Sequence, residues 1–489
     1  MWDLVAMNIV AVVGLRWISR SARAGAPSVT LWILAWLLFF LPMALTLIEL
    51  SSRYPEEGGM YRWARRAFGP VHGFLCGWCV WVNNLFYFPS LLLFVAANVL
   101  LVFGPGAASL ADSRVYSTAF VLGSLWVCVF LNLLGLEIVK RLHAIGSIAT
   151  WLPAALLIVA GAAALITSGS ATSFSLPRLL PSGDVLTTVS LWSAMCFAFS
   201  GFEIGGFLGD EIKDARRTLP RATMISGALV TLIYIAGSAS VLIAVPASAL
   251  QERSGIADAV DLIARNLGLI GMGAVTGGLL ALGSFAGTNS WFGGAARVPF
   301  AAGVDRALPA WFARLDPRRQ TPRNAILVQG VLASLIFLVS VFLSVSGGQT
   351  TIQEAYDIMV NLTILIYFVP YMYLFVTVVR LRPAAGEIEQ PGVLRIPGGR
   401  LGLYLVAGSG FMATAISVAL LFVPPSGTEN ALNYEANLIG QALIVLAAGV
   451  SIYWYSAVRD EGRGATDEGR GTKDEGRGTK DEGRRAKNV

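Results

Sequence analysis

Apolar runs of roughly twenty residues recur from the start of the chain to about Tyr455, and no other feature restricts the fold so severely. A helix rises about 1.5 Å per residue, so about 20 apolar residues span the roughly 30 Å hydrocarbon layer of a bilayer. Taking polar flanks as boundaries, twelve runs qualify: 3–24, 29–51, 73–103, 116–134, 142–167, 186–208, 222–245, 268–297, 324–345, 354–380, 401–423 and 433–456. Charged residues make up 13% of the 489, about half the share of a soluble domain. Inside lipid every backbone polar group must be satisfied internally, which runs of this length achieve as helices. The pattern predicts an all-α integral membrane protein with one embedded domain over 1–458.

Lys and Arg distribution sets the orientation. The first run carries Arg16, Arg20 and Arg23 in its second half and lacks a small-residue cleavage site, so it reads as a retained span rather than a leader. Only two residues precede its apolar stretch, which leaves open a minimal N-terminal segment or a start further upstream. With the N-terminus inside, loops on the inner side hold 20 Lys and Arg and those on the outer side hold 6. That excess predicts both termini in the cytoplasm. Residues 459–489 then form a cytoplasmic tail in which Asp-Glu-Gly-Arg recurs at 460, 467, 474 and 481. Its 9 basic and 8 acidic residues nearly cancel and no apolar residue marks a heptad seam, so a flexible solvated segment is expected rather than a coiled coil or an anionic-lipid anchor. The basic residues form no continuous face, which excludes nucleic acid as a partner. With 4 Cys and 2 His the chain offers no disulfide framework and no metal-ligand cluster, and no cofactor is expected. Cys76 and Cys79 form a C-x-x-C, read as small-residue packing within an apolar helix. His72 and His143 fall at cytoplasmic span edges, as ordinary interfacial residues do.

Polar groups within spans are costly and so mark function. The sixth run contains Phe197-Ala198-Phe199-Ser200-Gly201-Phe202-Glu203-Ile204-Gly205-Gly206, three glycines and a carboxylate inside an apolar helix. Each glycine weakens helix by about 1 kcal/mol, and unwound backbone at this depth is tolerated only against a cavity or buried in protein. A broken helix is expected. The first run, with Asn8 followed by Gly14-Leu15-Arg16, carries a weaker break signal. Breaks at corresponding positions of two five-helix halves suit an inverted-repeat transporter, whose half-helix ends favour a zwitterion. Span three adds Cys79, Asn83, Asn84 and Tyr87, with Asn83 and Tyr87 on one face. Span eight adds Ser284, Thr288, Asn289 and Trp291, and span ten adds Glu354, Asp357 and Asn361. These groups either bond helix to helix or gather around one cavity.

Three stretches carry a family resemblance: Pro55-Glu56-Glu57-Gly58-Gly59-Met60-Tyr61 followed by Ala67-Phe68-Gly69-Pro70; Phe199-Ser200-Gly201-Phe202-Glu203 with Glu211-Ile212-Lys213 and Arg217-Thr218-Leu219-Pro220-Arg221; and Asp305-Arg306-Ala307-Leu308-Pro309 with Thr321-Pro322. In that order they resemble the amino acid-polyamine-organocation transporters over roughly 1–455. The resemblance implies twelve transmembrane helices in a LeuT-like five-plus-five inverted repeat, with helices one and six broken, moving amino acids or related amines by alternating access. Compared with the arginine/agmatine antiporter branch, Asn8 matches a substrate-contacting asparagine, Cys79 and Asn83 a contacting pair, and Phe197 the position of a gating aromatic. Gly201 and Glu203 match its glycine and glutamate, and Trp291 a second aromatic at the site. Where that branch has Gly-Ser-Gly, this chain has Ala11-Val12-Val13, while Gly14-Leu15-Arg16 with Phe40-Leu41-Pro42 is more similar to the glutamate/GABA antiporter-like branch. Some proton-coupled relatives carry a lysine midway along span five, and Ser147–Pro153 here has none.

The expected activity is therefore secondary transport of amino acids, with exchange favoured over proton symport. The expected substrate site comprises Asn8, Gly14, Cys79, Asn83, Phe197, Ser200, Gly201, Glu203 and Trp291, with Arg16, Tyr87, Thr288, Asn289 and Asn361 as further candidates. Glu203 either pairs with a substrate amine or holds the broken helix through backbone N–H groups, the second being favoured. A polyamine or other organic-cation carrier is the alternative, against which Arg16 argues. A nutrient sensor built on a transporter scaffold is the alternative of another class. No paired intramembrane carboxylates, Ser/His/Asp set or phosphate loop supports an enzyme or an ATP-driven pump, and no filter motif supports a channel. The expected partners are a small-molecule substrate and the bilayer, in a bacterial inner membrane. A homodimer and a monomer both fit the sequence.

Overall fold

The computed structural model describes residues 5, 8–9, 12–54, 59–182, 184–203, 215–250, 253–266, 268–299, 308–319, 321–342, 351–382, 393–424 and 434–456. Ala11, the Pro55–Gly58 and Glu211–Lys213 motif segments, Asp305–Ala307 and the 459–489 tail lie outside the described residues, as does the side chain of His143. No strand occurs among the described residues.

The main helices are α1 (Arg16–Ala22), α2 (Pro27–Arg53), α3 (Gly59–Phe68), α4 (Pro70–Val102), α5 (Arg114–Leu134), α6 (Leu136–Thr167) and α7 (Val185–Ala198) in the first half of the chain. The second half adds α8 (Ala215–Ala244), α9 (Gly255–Asn266), α10 (Met272–Ala295), α11 (Arg323–Phe342), α12 (Ile352–Leu381), α13 (Gly399–Leu420) and α14 (Tyr434–Ser456). Among the described residues nine helices are long and apolar enough to cross a membrane: α2, α4, α5, α6 from Ile148, α8 from Pro220, and α11 to α14. Three of the twelve apolar runs behave differently. The first is interrupted, and in the sixth the helix ends at Ala198 and gives way to turns through Glu203, the last described residue of that run. The eighth, α10, is long enough, but seven of its 24 residues are glycine, which dilutes its hydropathy.

Those glycines have a packing reason. A Cβ on Gly277 would lie 2.8 Å from the Asn98 carbonyl of α4, and one on Gly283 would lie 2.7 Å from the Thr150 hydroxyl of α6. Backbone-to-backbone approach lets α10 wedge between α4 and α6. The most buried span is α4, with 78% of its apolar window inside the protein, followed by α12 at 67%, and these two pack on each other. At the periphery α14 buries 17% and leaves Leu443, Ile444, Trp454 and Tyr455 facing outward, as a lipid-facing helix does.

Two short amphipathic helices lie in connections that the hydropathy map leaves as loops. In α3, Met60, Trp63, Ala64 and Ala67 face inward while Arg62, Arg65 and Arg66 are exposed. In α9 the inward face is Ile256, Ala257, Val260, Ile263 and Ala264. Neither is long enough to span. Within α2, Trp36–Phe40 is a π-helical turn, in which the N–H of Leu41 reaches the Trp36 carbonyl. Pro42 follows, lacking an N–H and crowding the preceding turn, and this accounts for the widened register. The turn aims Phe40 at the interruption after α7, with ring centroids 5.1 Å from Phe199 and 5.2 Å from Phe202.

Candidate functional site

Helical backbone ends at Val12, Val13 and Gly14 are non-helical, and α1 begins at Arg16. The second interruption follows Ala198. Phe199 to Glu203 form turns, and Gly201 takes φ of 112°, a conformation open to glycine and strained for other residues. An interrupted helix exposes backbone groups that need partners, and here one side chain serves both interruptions. The Tyr234 hydroxyl on α8 accepts the Gly14 N–H at 3.1 Å and lies 2.9 Å from the Val12 carbonyl and 3.1 Å from that of Ala198. The Tyr234 ring is buried and stacks on Trp32, centroids 4.5 Å apart, and Trp32 in turn donates to Ser21 and Ser238.

Glu203 is buried at the end of the second interruption. One carboxylate oxygen accepts the Gly201 N–H at 3.0 Å and the Tyr371 hydroxyl at 2.8 Å; the other accepts the Tyr367 hydroxyl. Three donors and no cation surround it among the described residues, an arrangement suited to holding the chain bend. Tyr367 and Tyr371 are one turn apart on α12, so the carboxylate ties α12 to the break. Ser200 turns back onto the Phe197 carbonyl.

Phe197 packs edge-on against Trp17 of α1 at 5.4 Å and Tyr367 at 5.8 Å. Gly14 leaves room for the Trp17 indole, since a Cβ there would lie 2.6 Å from the ring. The next residue, Arg16, is 1% exposed. Its guanidinium sits over the Trp17 and Tyr87 rings, 4.4 and 4.8 Å from the centroids, and Nη1 donates to Ser90 at 3.1 Å, while Nε and Nη2 have no partner among the described residues. Each ring face returns on the order of 0.5–2 kcal/mol. Burying an ion costs several kcal/mol, so the charge is under-compensated. Arg16, Gly14, Tyr87, Thr150, Ser284 and Trp291 line a cavity of about 30 Å³, which is room for one or two waters. Tyr87 lies 6.4 Å from Trp291 across it.

A second cavity, about 210 Å³, is bordered by Arg20, Arg23, Asp184, Ser193, Asp357 and Asn361. Arg20 pairs with Asp357 at 3.3 Å and donates to Asn361, which donates to Tyr434, so α1, α12 and α14 meet at this mouth.

The residues expected from sequence therefore separate into groups. Gly14, Arg16, Tyr87, Phe197, Ser200, Gly201, Glu203 and Trp291 gather around the two interruptions. Asn361 lies at the wider cavity. Asn8 is buried and donates to Ser226 of α8 at 3.2 Å, and its own Oδ1 has no partner among the described residues. Asn83 turns to the carbonyls of Cys79 and Val80 in its own helix, and buried Cys79 likewise faces packing. Thr288 bonds Ser284 of its own helix, and Asn289 accepts from Asn132 of α5, both helix-packing roles. Trp17, Tyr234, Tyr367 and Tyr371 join the site unannounced by the sequence; a lone tyrosine in span seven and two tyrosines one turn apart in span ten were the only signals.

The amino acid permease family model matches residues 1–448. The chain is 31% identical to an uncharacterised transporter of Legionella pneumophila over 91% of this chain and 94% of that one. It is 24% identical to a probable agmatine/putrescine antiporter of Lactococcus lactis, covering 86% of each chain. Identity to a glutamate/gamma-aminobutyrate antiporter of the same organism is 23%, over 81% of this chain and 77% of the relative. With nine apolar spans among the described residues and a permease family match over nearly its whole length, the chain is a multi-pass integral membrane transporter rather than an enzyme. It belongs to the amino acid permease family of the amino acid-polyamine-organocation superfamily.

Proposed function

We propose that the protein is a secondary amino-acid transporter working by alternating access, and that it exchanges one substrate for another. The reading takes the chain as twelve spans in a LeuT-like five-plus-five repeat, with both termini on the cytoplasmic side of a bacterial inner membrane. The observation that carries it is the convergence of two helix interruptions on one tyrosine hydroxyl, beside a buried arginine and a cage of aromatic rings. Static helices have no use for such interruptions. A pair of helices that opens and closes around a small polar solute does. Two relatives bear antiporter names, which supports exchange.

In this reading Phe197 and Trp291 gate the site, Gly14 and Gly201 provide its backbone, Arg16 and Tyr87 face the substrate, and Glu203 holds the bend. Asn8, with a free acceptor, and Cys79, Asn83 and Ser200 would contact substrate in a more open state than the one described. The pair Arg20–Asp357 with Asn361 closes the wider cavity from outside. A carrier of amines alone is the second reading, prompted by the agmatine/putrescine relative, and an unpaired buried guanidinium opposes it. The test is counterflow in proteoliposomes loaded in turn with each amino acid and polyamine. Entry of label that requires a loaded amino acid and falls in Phe197→Ala and Trp291→Ala supports the reading. Failure of every compound with folded protein overturns it.

A further inference from the structure

We infer that Arg16 is the specificity determinant of the central site: its side chain, rather than the loop backbone, binds the carboxylate of the substrate, so compounds lacking a carboxylate are rejected. The inference deepens the transport reading and rests on it. It begins from an imbalance of charge. Arg16 is 1% exposed, and among the described residues its polar contact is one hydroxyl, that of Ser90. The nitrogens left over are Nε and Nη2. These two share the lateral edge of the guanidinium, where their N–H bonds run parallel at the spacing of two carboxylate oxygens. Nη1, on the other edge, is the one already used by Ser90.

The surroundings hold the fork in place. Trp17 and Tyr87 both present ring faces to the group, which restrains it without consuming a donor. Arg16 lines a cavity of about 30 Å³ that also takes in Thr150, Ser284 and Trp291. The free fork, Nε and Nη2, is itself sealed from that space. The described state is thus closed, and a carboxylate would reach the fork through space created when Trp291 and Phe197 part. An ammonium placed there would meet an uncompensated positive charge in a low-dielectric setting.

The experiment uses the full chain and compounds paired so that only the α- or terminal carboxylate differs: ornithine with putrescine, arginine with agmatine, alanine with ethylamine, γ-aminobutyrate with propylamine. Binding is read as thermal stabilisation in detergent and transport as counterflow, for wild type, Arg16→Lys and Arg16→Met. Wherever a pair responds, the member with the carboxylate should bind and exchange and its partner should not. Loss of a charge-assisted fork should weaken carboxylate binding on the order of 10- to 100-fold in Arg16→Lys. In Arg16→Met the preference within a pair should vanish. If Arg16→Met does not fold, Arg16→Lys, which keeps the charge and loses the fork, decides alone. Equal responses within pairs in wild type, a full preference retained in a folded Arg16→Met or Arg16→Lys, or no response to any carboxylate would overturn the inference. So would Arg16-dependent stabilisation by chloride with none by amino acids, which would make this an inorganic-anion site. Arg16-dependent carboxylate binding without any counterflow would support the inference while overturning exchange.

Discussion

Removing the Tyr234 hydroxyl and keeping its ring, as Tyr234→Phe does, isolates the junction between the two helix interruptions. The stack on Trp32 at 4.5 Å and the edge contact with Phe199 at 5.7 Å survive the change. What disappears is the acceptor for the Gly14 N–H and the proton offered to the carbonyls of Val12 and Ala198. A buried polar group left unsatisfied costs about 1–3 kcal/mol. One N–H and one carbonyl are orphaned, since a single proton serves the two carbonyls, and the total is about 2–6 kcal/mol. Unfolding entropy of roughly 2 cal/mol/K per residue, scaled to this length, turns that into a fall in melting temperature of about 2–6 °C. Tyr116→Phe is the control, because that hydroxyl makes one bond, 2.9 Å to the Ala96 carbonyl, away from the interruptions. Thermal stability in detergent and counterflow are measured on both. Tyr234→Phe should lose at least twice the stability of the control and most of its exchange, while Tyr116→Phe exchanges normally. Equal stability losses with unimpaired exchange would refute the idea that the two interruptions are joined through this hydroxyl.

Two further predictions concern buried carboxylates. In Glu203→Gln an amide replaces an acceptor of three donors, two of which are hydroxyls able to reverse, so stability should fall by about 1–2 kcal/mol. Exchange should persist with its pH profile unchanged; a flattened profile would move Glu203 from anchoring the bend to carrying a proton. Near the C-terminal end of α2 Glu49, 1% exposed, pairs with Arg53 at 3.2 Å and Arg382 at 3.4 Å and accepts the Ile396 N–H. Glu49→Gln should cost about 3 kcal/mol, the low end for a broken buried pair, because Arg382 keeps the carbonyls of Ile396 and Gly399. A thermal stability within 1 °C of wild type would show that this cluster does not tie α2 to the connection before α13.

Local physics was legible in the sequence, and long-range pairing was not. Hydropathy marked the long spans because crossing lipid is a property of one segment at a time. Gly14 and Gly201 marked the interruptions because helix weakness is local too. The partners that satisfy those interruptions lie far away in the chain: Tyr234 is 220 residues from Gly14, and Tyr367 is 164 from Glu203. No periodicity encodes such a meeting. Glu203 was legible as a carboxylate beside a glycine break, whereas two of its three donors, Tyr367 and Tyr371, were not. Asn83, Thr288 and Asn289 drew attention as intramembrane polar groups, yet Asn83 and Thr288 donate to carbonyls of their own helices, and Asn289 accepts from the Asn132 amide of the helix alongside. The helices α3 and α9 escaped because 10- and 12-residue amphipathic segments average to loop-like hydropathy. Cys76 and Cys79, both buried free thiols, pack as small residues.

The glycines of α10 bear on how the helix carrying Trp291 can travel. Side chains interlocked as ridges and grooves must unlock before one helix moves past another, which favours jumps of a whole turn, about 5.4 Å. Where Gly277 receives Leu101 beside the Asn98 carbonyl, Gly283 receives Thr150, and Ala286 of α10 enters the notch at Gly146, small knobs seat in glycine holes. Such a seam is keyed. The helix moves past α4 and α6 when these side chains lift out together, so Trp291 leaves Tyr87 in one step rather than by gradual drift.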